Sequence, residues 1–237
     1  MEHKSRAIIL RTYDYGEADR IVTFFTEDHG KQKGIARHAR RSKRRFGGGL
    51  EPGTICSARF VEKHGVELVR LENVLVELQA LNIATTMEKI SALHVTLELA
   101  DKMLPLSHAS KKKFRLLEKW LNFMAENDPM PVHMHAFYYR WLVESGLAPV
   151  FDACTVCGGK KELEHISGQH GGVVCASCYR RNFNGLKTGS DVIKYLHGFK
   201  GGKMPSMGVT GADEVFEYLL EHAVGGRIRA LEVIKKL

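Results

Sequence analysis

No run of about 18 uncharged apolar residues occurs in the chain, so no membrane-spanning helix is expected. The opening residues, MEHKSRAIILRTYDYGEADR, lack the apolar core and small-residue cleavage site of a secretion signal, which makes the cytoplasm the expected compartment. Cysteine is scarce, at five in 237 residues. A chain of this length buries enough surface to fold without disulfide staples, and a disulfide framework fits poorly where no secretion signal precedes it. Enzyme signatures are also missing. Gly198–Met204 has neither the spacing nor the hydroxyl residue of a phosphate-binding G-x-x-x-x-G-K-[ST] loop. There is no H-E-x-x-H, G-x-S-x-G or G-x-G-x-x-G. The carboxylates form no evident metal-binding group and the twelve histidines are dispersed. The expectation is a protein without a catalytic centre.

One absence is local. Between Lys31 and Arg45 there is no acid, while Lys31, Lys33, Arg37, Arg40, Arg41, Lys43, Arg44 and Arg45 supply eight cations. Removing those eight from the 35 basic residues leaves 27, equal to the 27 acids, so the whole formal charge of +8 sits in this segment. A concentrated excess attracts polyanions, whereas a dispersed one says little beyond solubility. No amphipathic apolar face accompanies it, which argues against a membrane surface. A nucleic acid is the expected partner, because each phosphate contact releases condensed counterions. On charge alone, an RNA- or ribosome-binding module would serve as well as a DNA-binding one.

Residues 1–79 read as strands. Ala7–Arg11, Arg20–Thr26, Lys31–Arg37, Thr54–Val61 and Val66–Glu72 are short apolar or β-branched runs separated by turn signals. Five such strands predict a small closed or partly closed barrel. Scattered aromatics (Tyr13, Tyr15, Phe24, Phe25 and Phe60) suit base stacking, although most are expected in the core. The link from Arg37 to Gly53 carries most of the basic cluster and then Gly47-Gly48-Gly49, predicting a mobile tip. After Glu77 the apolar period lengthens. Helices are expected from a capping box at Thr85 and Glu88 to Leu104, over Ser110–Asn127, through Phe137, Trp141 and Leu142 to Gly146, over Asp191–His197, over Ala212–His222 behind a Thr210 cap, and over Arg227–Leu237. The domains are therefore expected at 1–79, all β, and 80–237, mostly α, with a different segment at about 150–184.

That segment holds two C-x₂-C pairs, Cys154–Cys157 and Cys175–Cys178, with 17 residues between them. Each tight turn presents two thiolates, and two turns at this spacing match a structural Zn²⁺ site with four sulfur ligands. Four thiolates leave no position for a reactive water, so a catalytic zinc is not expected. A redox C-x-x-C would stand singly beside a βαβ unit. His165 and His170, between the pairs, are spare ligand candidates, and Cys56, alternating with apolar residues, reads as a core thiol. Lys111, Lys112 and Lys113 open a helix whose dipole they oppose, which makes them either an exposed turn or a second phosphate-contacting patch.

In order along the chain, Ala7–Thr12, Tyr15-Gly-Glu-Ala-Asp19, Thr26–Lys31, Ala36-Arg-His-Ala-Arg-Arg41, Gly48–Pro52, Ser145-Gly-Leu-Ala-Pro149 and the two cysteine pairs resemble the RecO family of bacterial recombination mediators. The resemblance spans nearly the whole chain. It implies an OB-fold barrel at the N-terminus, then a helical domain with a four-cysteine zinc insertion, an α+β multidomain protein. It implies binding of single- and double-stranded DNA, annealing of complementary strands, and cooperation with RecR in loading RecA onto DNA covered by single-strand-binding protein, on the bacterial nucleoid. Arg37, Arg40 and Arg41 match the family's basic motif, and His38 stands where the family often has glycine. The acidic, apolar tail of single-strand-binding protein is expected on the helical domain. It needs a cation beside an apolar groove, for which Arg140 with Phe137 and Trp141 is the candidate.

Overall fold

The computed structural model describes residues 1–180, 185–201, 205–206 and 208–234, which form two compact units. The first comprises Met1–Asp128 with Val233 and Ile234; the second comprises Pro129–Glu232.

The first unit begins with strands β1 (Glu2–Tyr15), β2 (Asp19–Thr26) and β3 (Gly30–Ala36), a single helical turn α1 (Lys43–Phe46), and strands β4 (Ile55–Val61) and β5 (Val69–Leu78). They close into a barrel in the order β1-β2-β3-β5-β4, with β1 returning antiparallel onto β4. β3 and β5 meet in parallel through Gly34↔Val69 and Ile35↔Arg70. This is the five-stranded Greek-key barrel of the OB fold. Inward residues of facing strands fill it: Ala7, Ile9, Val22, Phe24, Cys56, Ala58, Phe60 and Leu71. Phe24 and Phe60 meet edge to face at 5.5 Å, the arrangement that aromatic quadrupoles favour.

The link between β3 and β4 is not the open loop expected from its glycines. Phe46 and Leu50 insert into the barrel core. Gly49 lies against β5, where a Cβ would stand 2.6 Å from the Val74 side chain, so only glycine lets the chain pass. The segment is a folded cap on the barrel because two apolar residues among the cations have a core to enter.

Two helices complete this unit. α2 (Met87–Met103) is capped by Thr86, whose hydroxyl accepts from the Lys89 amide, one residue later than expected. α3 (Lys111–Glu126) is capped by Ser110. Trp120 donates its indole N–H to the Thr96 hydroxyl at 2.9 Å, joining the two helices through a buried pair. Phe114 of α3 packs on Phe25, whose side chain faces outward from β2. The change from β to α thus falls near residue 80, while the compact unit continues through two further helices.

The second unit contains α4 (Pro131–Glu144), strands β6 (Leu163–Ser167) and β7 (Gly172–Cys175), the turn α5 (Ala176–Tyr179), β8 (Leu186–Lys187), α6 (Ser190–Gly198), α7 (Ala212–Val224) and the start of α8 (Arg229–Ile234). The small sheet runs β7-β6-β8. His135 of α4 is fully buried. Its Nε2 donates to Asp213 of α7 at 2.9 Å, its Nδ1 meets the Tyr195 hydroxyl of α6 at 2.8 Å, and its ring stacks on Phe216. One side chain so ties three helices. Thr210 is not the cap of α7; Gly211, at φ 90°, occupies that position without a side-chain bond. The last three residues of the helix expected to reach Leu237 lie outside the described residues.

Candidate nucleic-acid interface and metal centre

The basic residues of the first unit divide into two groups. Some are structural. Lys31 is buried, and its ammonium bonds the backbone carbonyl and carboxylate of Asp101 in α2. Arg40 clasps the β1–β2 turn: its amide donates to the Ala18 carbonyl, its guanidinium donates to the Glu17 carbonyl at 3.2 Å, and Asp14 lies 3.7 Å away. Arg45 donates to the Arg37 carbonyl at 2.7 Å and to the Ser42 hydroxyl, and lies over the Phe46 ring. The contacts of Arg40 fix the cap to the barrel, and those of Arg45 hold the cap together. Beside them a cavity of about 410 Å³ is lined by Arg20, Arg40, Lys43, Phe46 and Leu50.

The others are unpaired. Arg37, Arg41, Lys43 and Arg44 are exposed, and among the described residues none has a carboxylate within ion-pair distance. Lys33, half-buried on β3, has none either. The turn that presents them is built on His38, which adopts a left-handed φ of 56°. Its amide donates to Asp19 at 2.8 Å, and its carbonyl accepts from the amides of Arg41 and Ser42. A residue other than glycine in this conformation is uncommon, and the hydrogen bonds on both sides hold it there.

The lysine run on α3 is also divided. Lys111 pairs with Asp28 of the β2–β3 turn at 3.2 Å and holds that carboxyl below its ordinary range. It is a strut between barrel and helix, and Lys112 stays exposed. Sequence reasoning passed over Arg11, which is exposed on β1 with its guanidinium 5.9 Å from the centre of the Tyr13 ring. Of the aromatics singled out, Phe24, Phe25 and Phe60 are core, and Tyr13 and Tyr15 are exposed.

In the second unit the four cysteine sulfurs lie within 4.8 Å of one another. The first turn places Cys154 and Cys157, closed by the Gly158 amide donating to the Cys154 carbonyl. β7 and α5 place Cys175 and Cys178. The hairpin reaches this point because Gly172 passes Val150 so closely that a Cβ would stand 2.1 Å from the Val150 carbonyl oxygen. The sulfurs of Cys157 and Cys175 are 3.8 Å apart. Four sulfurs about 2.3 Å from one central ion stand roughly 3.8 Å from each other, so the spacing suits a tetrahedral thiolate site. The Cys175 amide donates to the Cys154 sulfur at 3.3 Å. A bond from the Cys178 amide and another from Ser177 draw the Cys175 thiol down to about 6, toward the thiolate that a metal binds. His165 stands apart from the four sulfurs, stacked on Tyr179 at 3.6 Å.

Phe137, Arg140 and Trp141 do not form a common surface. Phe137 and Trp141 are interior residues of the second unit, their rings tilted with centroids 5.8 Å apart, and Arg140 is exposed. The pair serves as core packing of α4, so the site expected there has no apolar groove.

Among the described residues no helix is long and apolar enough to cross a membrane. Two family models match the chain: Recombination protein O N terminal over residues 1–78, and Recombination protein O C terminal over residues 84–229. The chain is 36% identical over 178 residues to a protein of Anaeromyxobacter sp. (strain K), covering 74% of this chain and 70% of that one. It is 33% identical over 196 residues to a protein of Geobacter sulfurreducens, covering 82% and 79%. It is 29% identical over 235 residues to a protein of Myxococcus xanthus, covering 98% and 96%. Each of these carries the name DNA repair protein RecO.

Proposed function

The chain belongs to the recombination protein O family, and from that premise we propose that it acts in DNA repair and recombination as a mediator without a catalytic centre. In this reading it binds single- and double-stranded DNA and anneals complementary strands. With RecR it helps load RecA onto DNA covered by single-strand-binding protein, on the nucleoid in the cytoplasm. Residues 1–79 hold the DNA, and residues 80–237 carry the zinc segment at about 150–184. The observation that supports this most is the set of four exposed cations, Arg37, Arg41, Lys43 and Arg44, with no carboxylate partner among the described residues, on the cap of an OB barrel. Like charges held this close repel one another unless a polyanion neutralises them. Phosphate contacts position a protein without reading bases. They also lower the mutual repulsion of two strands, which favours pairing. Lys33, Lys112 and Lys113 extend the same role, while Arg40, Arg45 and Lys111 act by holding the surface in shape.

Cys154, Cys157, Cys175 and Cys178 would hold one Zn²⁺. When bound, that ion fixes the β6–β7 hairpin to the turn before it and offers no open coordination position for hydrolysis. The tail of single-strand-binding protein remains a proposed partner of the helical part, away from the buried Phe137 and Trp141.

The test is annealing. Complementary strands are coated with single-strand-binding protein, and duplex formation is followed by fluorescence with the full chain added. Acceleration over the coated strands alone is expected. A protein that binds structured RNA but leaves the coated strands unpaired would be an RNA module instead.

A further inference from the structure

β1 changes the direction of its side chains part-way along. Ala7 and Ile9 point into the barrel, so unbroken alternation would send Arg11, Tyr13 and Tyr15 inward as well. The pairing with β2 slips between Ile9 and Arg11, leaving Leu10 as an extra residue. One inserted residue reverses every side chain that follows. Thr12 now faces Val22 and bonds the Leu50 carbonyl of the cap at 2.6 Å, and Asp14 bonds Arg20 on that same inner row. Arg11, Tyr13 and Tyr15 are thereby placed on the outer face.

We propose that Arg11, Tyr13 and Tyr15 form a stacking platform for the bases of single-stranded DNA. The proposal rests on the DNA-binding reading above and adds the surface that distinguishes one strand from two. Tyr13 is 42% and Tyr15 57% exposed, so both rings are accessible. Two residues apart on a strand, they stand about 6–7 Å from each other, which lets successive bases of an extended strand lie one on each ring. Arg11 lies over Tyr13 at 5.9 Å and carries a charge with no carboxylate partner among the described residues.

The same face continues across the sheet. Arg11 is opposite Thr23 and Thr23 opposite Lys33, while Tyr13 is opposite Ile21 and Ile21 opposite Ile35. Its cations, Arg11 and Lys33, therefore accompany two exposed rings, the combination that holds a phosphate backbone while its bases stack. Two carboxylates of the hairpin are engaged elsewhere: Asp19 accepts from the His38 amide, and Asp14 sits with Arg20 and Arg40 on the inner row. A duplex keeps its bases stacked on each other, so it gains nothing from the rings.

The experiment measures binding of the full chain to an oligo-dT strand, an abasic strand of the same length and a duplex, using fluorescence anisotropy. The double variant Tyr13→Leu/Tyr15→Leu is expected to lose about thirtyfold or more in affinity for oligo-dT, the size of two lost base–ring stacks. It should bind the abasic strand and the duplex as the native protein does. Tyr13→Phe/Tyr15→Phe keeps both rings and should keep the affinity. An unchanged affinity of the Leu variant for oligo-dT would overturn the platform. Equal losses on oligo-dT and the abasic strand would also overturn it, because the rings would then be acting through the fold or the phosphates. A native protein that binds none of the three probes would remove the DNA-binding reading itself, and the platform with it.

Discussion

His38 shows how a single residue carries cost and purpose together. Its φ of 56° puts a residue with a Cβ where glycine sits without strain. The conformation costs about 1–2 kcal/mol for an ordinary residue. Replacement by glycine removes that cost but loosens the unfolded chain by about 0.4–1 kcal/mol. The difference favours the variant. His38→Gly is expected to raise the denaturant midpoint by an amount worth at most about 1.6 kcal/mol, with DNA affinity unchanged because the backbone bond to Asp19 stays. A drop in stability would show that the imidazole contributes a contact that outweighs the strain. Asp213 gives a prediction in pH. The hydrogen bond from His135 holds its carboxyl below the ordinary range, against a smaller opposing effect of burial. A carboxyl lowered on folding contributes stability above its unfolded value of about 3.9 and loses it as pH falls through the lower folded value. Native protein should therefore lose more stability than Asp213→Asn between about pH 5 and about pH 2. The difference will be small, because the carboxylate is largely exposed. Parallel acid curves for the two proteins would separate His135 from this effect.

Among the elements, the two halves of the cysteine site come from different local structures, a turn and the end of a hairpin, so zinc would reinforce a junction otherwise held by hydrogen bonds such as those from Thr155 to the Val173 carbonyl. Cys154→Ser/Cys175→Ser is expected to abolish binding of one zinc per chain by elemental analysis. The thermal transition of the second unit should fall, and the strand signal of the barrel should remain, because no ligand lies in the first unit. Full zinc content in the double variant would place the metal elsewhere. This site was legible from spacing alone, since C-x₂-C turns carry their geometry locally. The strand cores were legible for a similar reason: apolar runs such as Ile21–Phe25 mark them. The ends were not. β1 begins at Glu2 and ends at Tyr15, far beyond its apolar stretch, because its polar residues pair with β4 and β2, and such pairing is non-local. The cap of α2 falls on Thr86 and not Thr85, because adjacent threonines offer the same chemistry and only the chain's path chooses between them. Phe46 and Leu50 were hidden by the glycines and cations around them, and the bulge at Leu10 left no mark in the alternation of residue types.

At the scale of the whole molecule, the concentrated charge does not mean that every cation meets DNA. Three residues of the basic segment, Lys31, Arg40 and Arg45, are turned to the protein itself, and Arg37, Arg41, Lys43 and Arg44 are turned to solvent. The two groups predict opposite results from the same kind of substitution. Changing Arg37, Arg41, Lys43 and Arg44 together to Ala should weaken DNA binding without regard to base sequence. The logarithmic salt slope is about 0.7 per phosphate neutralised on a single strand, so four lost contacts should flatten it by roughly three units. Stability should change little or rise, since exposed substitutions usually cost under about 0.5 kcal/mol and a cluster of like charges is being dispersed. Changing Arg40 and Arg45 to Ala removes the bond from the cap to the β1–β2 turn and the bonds that hold the cap to its own start at Arg37. That variant should unfold at lower denaturant, and its slope should fall by less than the two contacts its charges would contribute if both met phosphate. The measurement is a binding titration across a salt series, paired with denaturant unfolding of each variant. A native slope in the fourfold variant would mean that the unpaired cations do not face phosphate. The search would then move to Lys112 and to the outer face of β1 and β3.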